Sequence, residues 1–492
     1  MFEKISPEAA GVSSIEVLEM IASFNRRGFR MHSVLLMKGD KLFCEAYWKP
    51  FHKDMVHRMY SVTKSFTSIA IGLCVEDALV DLDAPISSYF PEKIEKPLPE
   101  FLKDQTVREM LTMTTVGKAG SWFANHVEDR THWYFNNERN LRPSGTIWEY
   151  DSPGSQVLCS LVEKVTGKEM FDYMYERIFS KIGTFSTAKM LHTPNGDTWG
   201  DSAMICTPRD LASFGLFVMR EGKWQGQQVM DSKYLKEASS KVVDNQRNTH
   251  PSVFDHGYGY QIWRVEGGEG FAFNGLGNQF CICIPRLDLT FVCTADNQGF
   301  PFSEDYIAAQ FLDRIVAGMN EEALPSDVKS YQKLENYVEN LSLYSLKGNE
   351  DSPFREKIDG VEYLCENNPL GWEKFSFHFE NAKSGELHYT KKEGEMILPF
   401  YVNENRFGLF PEEGYSKEKG GIEAPGHRYR DAVSMTWTQE NRLQILCQII
   451  DEYFGNLSLT FGFRDDFAFV RSFRKGENFM KDYDGDILAK RK

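Results

Sequence analysis

Arg58-Met59-Tyr60-Ser61-Val62-Thr63-Lys64-Ser65-Phe66, followed by Ile69-Ala70-Ile71-Gly72-Leu73-Cys74-Val75, is the stretch whose reading decides the fold. It predicts a helix that opens on a serine and carries a lysine one turn on. That spacing sets the Ser61 hydroxyl and the Lys64 amine on one helix face, within hydrogen-bond reach. The apolar body at residues 69–75 predicts that the helix is buried. Such a pair is a nucleophile beside a base, because the amine can take the hydroxyl proton. The spacing alone has no force, since Ser-x-x-Lys begins six times, at Ser61, Ser186, Ser326, Ser330, Ser416 and Ser472. Context separates Ser61: an extended segment precedes it and a long apolar helix follows.

The totals bound the rest. A chain of 492 residues has ample volume for more than one core. Its net charge of −15 argues against a nucleic-acid or anionic-membrane partner, both of which need basic surface. Residues 1–8 lack the basic and apolar pattern of a secretory signal. No apolar run reaches the roughly 18 residues that span a bilayer. Nine scattered cysteines match no zinc or disulfide framework. Free thiols in a reducing cytoplasm are the plain reading, so a cytoplasmic location is expected.

Along the chain, residues 12–28 predict an amphipathic helix. Two β-rich runs around Gly39-Asp40 predict a hairpin. Residues 85–205 read as mostly helical with long loops, and the irregular segment 117–143 has the character of a binding loop. Ser152 to Gly167 predicts a helix stopped by its glycine. Thr207-Pro208 opens another, with threonine as N-cap and proline in the first turn. From residue 257 the pattern is an antiparallel meander, closed by a helix at about 304–319. The break at residues 321–326 reads as a linker. It divides a first domain, 1–322, whose helical subdomain is about 85–205, from a mostly antiparallel β domain, 326–492.

Two further places can carry chemistry. Trp148-Glu149-Tyr150-Asp151-Ser152 precedes a helix and offers a phenol that can shuttle a proton. Alone, Tyr150 reads first as a packing tyrosine. Phe273-Asn274-Gly275-Leu276-Gly277-Asn278-Gln279 puts a glycine at a strand end, where substrate can approach the backbone and the next amide can face it. Alone, it reads as a turn. No Gly-x-Ser-x-Gly elbow, phosphate loop or His-Glu-x-x-His occurs.

Taken together and in order, these pieces resemble the serine β-lactamase and penicillin-binding-protein superfamily. The likeness is strongest to its class C-type branch of esterases, D-aminopeptidases and 6-aminohexanoate-oligomer hydrolases, over roughly residues 5–320. Met110-Leu111-Thr112-Met113-Thr114 and Thr207-Pro208-Arg209-Asp210-Leu211-Ala212 support it alongside the three motifs. The resemblance implies an α/β (α+β) fold: an antiparallel sheet flanked by helices, with a helical subdomain. It implies Ser61 as nucleophile, Lys64 as its base and Tyr150 as the shuttle. The backbone amides of Ser61 and Leu276 would form the oxyanion hole, with no metal or cofactor.

The departures shape the expected substrate. The usual Tyr-x-Asn is Tyr150-x-Ser152, which leaves Ser152 as the substrate-binding group. The Lys-Thr-Gly element aligns with Phe273-Asn274-Gly275, so a neutral amide stands where a cation would meet a carboxylate. The expectation is a small ester or amide, with Ser152, Asn274 and Gly275 contacting it. A D-amino-acid amide or peptide, or weak action on β-lactams, comes second. Aromatics between Trp122 and Tyr134 are candidates equally for the pocket wall and for anchoring their loop. The reading from a different class is an inactive scaffold that binds or assembles, and a homo-oligomer is compatible with either.

Overall fold

The computed structural model describes residues 2–120, 127–246, 252–476 and 483–492. Trp122 therefore lies outside the described residues. The chain divides into two units. One comprises Met1–Ser342 with Lys417–Gly420, the other Leu343–Ser416 with Gly421–Lys492.

The first unit is built on a seven-stranded sheet. Its strands are β1 (Glu3–Lys4), β2 (Met31–Lys38), β3 (Lys41–Tyr47), β4 (Trp263–Val265), β5 (Gly270–Gly275), β6 (Gln279–Ile284) and β7 (Leu289–Ala295), in the order β1-β3-β2-β7-β6-β5-β4. Every neighbouring pair is antiparallel except β1 with β3. The expected hairpin forms with Lys38 opposite Lys41 around Gly39, whose φ of 59° suits glycine. Residues on a strand alternate between faces, and here both faces are covered. Leu35, Met37, Phe271, Phe273, Cys281 and Cys283 join one buried cluster. Val34, Leu36, Ala272, Phe280 and Ile282 join another. This is why β2 and β6 read as continuous apolar runs rather than alternating ones.

Helix α1 (Ser14–Arg26) covers the second face, with Val17, Met20, Ile21 and Phe24 fully buried. Helix α2 (Thr63–Glu76) belongs to the first cluster and is buried from Thr63 to Cys74. Phe66 stacks on Phe214 at 3.9 Å, and Ile69, Ile71 and Leu73 have no exposed surface. Each such side chain contributes about 2 kcal/mol. Gly72 admits the ring of Tyr234, 2.4 Å from where a Cβ would stand. Helix α3 (Ser152–Thr166) packs against α2 and ends at Gly167, φ 68°, as expected. Helix α4 (Pro208–Met219) opens on a Thr207–Asp210 capping box.

Beyond residues 321–326, helix α5 (Val328–Glu339) still belongs to the first unit. Leu334 is buried in its core and the Tyr337 hydroxyl accepts from Asn25 Nδ2 at 2.8 Å. The segment Lys417–Gly420 is also part of this unit, pairing with His192 through the Glu418 carbonyl at 2.7 Å and the Gly420 amide at 2.8 Å.

The second unit is a ten-stranded antiparallel sheet between Tyr363 and Arg491. A short parallel pairing of Tyr401–Val402 with Ser434–Met435 helps close it into a barrel. Phe377, Phe400, Trp437 and Phe461 are buried in it, and Trp372 stacks on Tyr389 at 4.4 Å. Among the described residues no helix is long and apolar enough to cross a membrane.

Candidate active site

Ser61 lies in a single 3₁₀ turn, Tyr60–Val62, that leads directly into α2. Tyr60 just before it has φ 48°, a left-handed conformation that costs a non-glycine residue energy. The surroundings hold it there. The Met59 amide donates to the Met204 carbonyl at 2.8 Å, and the Arg58 guanidinium lies over the Tyr60 ring at 4.5 Å. Behind them, His57 Nδ1 lies 2.8 Å from the Arg58 carbonyl and His57 Nε2 lies 2.8 Å from His32 Nδ1. A carbonyl only accepts, so Nδ1 of His57 carries the proton and donates. Burial drives the His57 pKa down to about 3, so the ring is neutral and Nε2 accepts from His32.

Lys64 is 2% exposed, and its Nζ lies 3.0 Å from Ser61 Oγ. The same nitrogen donates to the Asp201 carbonyl at 2.8 Å and stands 3.8 Å from Asp201 Oδ2. Burial lifts the Asp201 carboxyl above the usual range, opposed first by Lys64 and then by Arg130, Trp199 and Arg58. No motif spacing signals Asp201. It lies 137 residues from Lys64 and meets it only through the packing of residues 199–203 against α2.

Tyr150 faces this pair, its ring centroid 5.1 Å from Lys64 Nζ. It stacks on Trp263 at 5.8 Å, and Trp148 meets Trp263 edge-on at 5.6 Å. The loop that delivers it is strapped to residues 113–116. Arg142 donates its amide to the Val116 carbonyl, Gly145 to Thr114 and Glu149 to Met113, at 2.9, 2.7 and 3.0 Å. Asp151 anchors the next position, accepting from Thr115 Oγ1 at 3.0 Å. Burial pushes its carboxyl up to about 6, opposed by Arg139 and the Thr115 hydrogen bond.

Strand β5 brings up the third piece. Gly275 lies against the turn that carries Ser61, and among the described residues neither the Ser61 amide nor the Leu276 amide is taken by a backbone carbonyl. Asn274 Nδ2 donates to Glu304 Oε1 at 2.5 Å, an acidic neighbour that no motif announces. A cavity of about 520 Å³ gathers Ser61, Tyr150, Asn274, Gly275 and Leu276 with Trp148, Trp263, Asn278 and Glu304. Lys118 and Glu149, 3.4 Å apart, stand on its rim. Ser152 does not line it; as the first residue of α3 it lies behind Tyr150 in the chain, with the buried Asp151 between. Among the described residues no group of His, Cys, Asp and Glu is arranged to hold a metal ion.

The site therefore gathers a hydroxyl, an amine and a phenol, with the backbone amides of Ser61 and Leu276 taken by no backbone carbonyl among the described residues. Known proteins carry related sequences. A 6-aminohexanoate-dimer hydrolase from Paenarthrobacter ureafaciens is 22% identical over 49% of this chain and 66% of its own length. A lovastatin esterase from Penicillium rubens is 29% identical over 30% of this chain and 42% of its own. The octameric penicillin-binding protein homologue from Pyrococcus abyssi shares the fold, with a TM-score of 0.51 at 16% identity over 97% of this chain and 100% of its own. The Beta-lactamase family profile matches residues 19–312, more than half of the chain, and the protein belongs to that family.

Proposed function

We propose that the protein is a serine hydrolase that forms an acyl-enzyme on Ser61 and cleaves a small uncharged ester or amide. The observation that carries this reading is the 3.0 Å contact between Lys64 Nζ and Ser61 Oγ at the floor of a cavity that Tyr150 and Leu276 also line. Ser61 Oγ attacks the substrate carbonyl carbon while its proton passes to Lys64 and Tyr150. The carbonyl oxygen becomes an oxyanion held by the amides of Ser61 and Leu276. As the intermediate collapses, the bond to the leaving group breaks and that group takes the proton back from Tyr150. Water then attacks the ester on Ser61, giving up a proton to the same pair, and the acid leaves with Ser61 restored.

The walls favour an uncharged substrate. Asn274 replaces a cation and is already engaged with Glu304, so a substrate carboxylate gains little there. Trp148, Trp263 and the half-exposed Leu276 offer apolar surface to an acyl or alcohol group. Relatives named as a dimer hydrolase and an esterase support the same reaction class. The test is intact-protein mass after treatment with a fluorophosphonate, beside turnover of p-nitrophenyl acetate and butyrate, in wild type and Ser61→Ala. One adduct per chain, lost with turnover in the variant, is the expected result. A wild-type chain with neither adduct nor turnover sinks the hydrolase reading in favour of a binding scaffold.

A further inference from the structure

Asn274 and Glu304 line the same cavity as Ser61, and they are bonded to each other. Ala272 and Asn274 project from one face of β5, because alternate residues of a strand share a face. Ala272 joins the same buried cluster as Ile307 and Ala308 of the helix Ser303–Gln310, so that helix covers this face. Its start is pinned by Asp305, whose Oδ1 accepts from Ser252 Oγ at 2.6 Å and from the Val253 amide at 3.0 Å. Glu304, one residue earlier, is thereby held at the end of β5, where its Oε1 accepts from Asn274 Nδ2 at 2.5 Å.

The direction of that bond decides what the cavity offers. A carboxylate has no proton to give, so it bonds the NH2 end of a carboxamide and not the oxygen end. Reversing the Asn274 amide would set two acceptors against each other. The NH2 is therefore turned to Glu304, and Oδ1 is the end left over. That oxygen takes no hydrogen bond among the described residues and is not enclosed. A substrate carboxylate reaching for the second Nδ2 hydrogen would stand beside the carboxylate of Glu304, and like charges repel. An asparagine by itself both gives and accepts; held in this way, Asn274 accepts.

We propose that Glu304 is a positioning residue that sets the specificity of the site: by holding the NH2 of Asn274 it leaves Asn274 Oδ1 to meet the substrate, so a neutral hydrogen-bond donor is taken and a carboxylate is refused. This rests on the reading of Ser61 as nucleophile. Discrimination of this kind comes from the mismatch built against the wrong substrate as much as from the contact made with the right one. The substrate class narrows from any uncharged ester or amide to one that carries an N–H or O–H within reach of the end of β5.

The test uses three p-nitrophenyl esters with one six-carbon acyl chain: the hexanoate, the adipamate and the hydrogen adipate, which end in a methyl, a carboxamide and a carboxylate. Wild type should prefer the adipamate to the adipate in kcat/KM. In Glu304→Gln the new side chain can give as well as accept, so Asn274 is free to reverse and offer its NH2. The adipate-to-hexanoate ratio should then rise about tenfold, the worth of one hydrogen bond to a charged group. A gain on one ester is not something a damaged fold produces. In the double variant Asn274→Leu, Glu304→Gln there is no amide to reverse, and the ratio should not rise. An unchanged ratio in Glu304→Gln overturns the proposal. So does an equal rise in the double variant, which would mean that Glu304 acts without Asn274. A wild-type chain that fluorophosphonate does not label at Ser61 overturns the hydrolase reading first; a labelled chain with unchanged ratios overturns this proposal alone.

Discussion

A Cβ placed on Gly275 would stand 2.4 Å from the carbonyl oxygen of Met59 and 3.2 Å from the Val62 nitrogen. Strand β5 and the turn carrying Ser61 are thus in backbone contact, and only a residue without a side chain lets them approach so closely. That contact sets where the Leu276 amide stands relative to Ser61 Oγ. Gly275→Ala must push the strand away from backbone atoms that have nowhere to move. Displacements of about 1 Å can cost on the order of 100-fold in rate. The expected outcome is a loss of that order in kcat/KM on p-nitrophenyl butyrate. Activity within twofold of wild type would show that the oxyanion geometry does not depend on this approach.

Asp201 and Lys64 are both almost wholly buried, at 4% and 2% exposure, with 3.8 Å between Oδ2 and Nζ. Removing the Asp201 carboxylate leaves the Arg130 and Arg58 guanidinium charges around it uncompensated, and breaking a buried pair in this way costs about 3–5 kcal/mol. Asp201→Ala should therefore lower the urea unfolding free energy by about 3 kcal/mol, with Arg58 and Arg130 sharing the lost partner. Asp201→Asn, which keeps the shape and the backbone carbonyl bonded to Lys64, isolates the charge. Equal stability of wild type and Asp201→Ala would remove the pairing from the account of the site.

The buried histidines set an acid limit on stability. Burial lowers the His57 pKa from 6.5 to about 3, and His32 is lowered as well, by burial and then by His57. The unfolded chain takes up protons below 6.5 that the folded chain refuses. The His57 contribution is therefore full above that value and is lost as pH falls toward about 3, with a slope near 1.4 kcal/mol per pH unit, and His32 acts in the same direction. Melting temperatures of wild type and His57→Asn between neutral pH and pH ~4 check this. The amide of the variant can still donate to the Arg58 carbonyl but does not titrate, so its melting temperature should fall less steeply. Parallel curves would exclude His57 as a source of the acid sensitivity.

Much of the first unit was legible because its signals are local. The hairpin at Gly39-Asp40, the stop at Gly167 and the Thr207–Asp210 cap each depend on a few adjacent residues whose backbone preferences decide the outcome. The end of that unit was not legible. Residues 321–326 read as a linker, yet α5 continues the same core through Leu334, because a surface helix with one apolar stripe does not announce which core will receive it. Ser152 was read as a substrate contact from its place two residues after Tyr150. The start of α3 at Ser152 and the burial of Asp151 instead leave it out of the cavity lining.

By itself the sequence determined the nucleophile candidate and its helix, since a serine and a lysine three residues apart must share a face wherever the helix goes. It also determined the order of the three motifs and the neutral residue, Asn274, at the position of a cation. Only the tertiary structure decided what surrounds them. Asp201 reaches Lys64, Glu304 reaches Asn274 and Trp263 reaches Tyr150 across long stretches of chain. No local preference encodes such meetings. They follow from how α2, β5 and the loops between them pack.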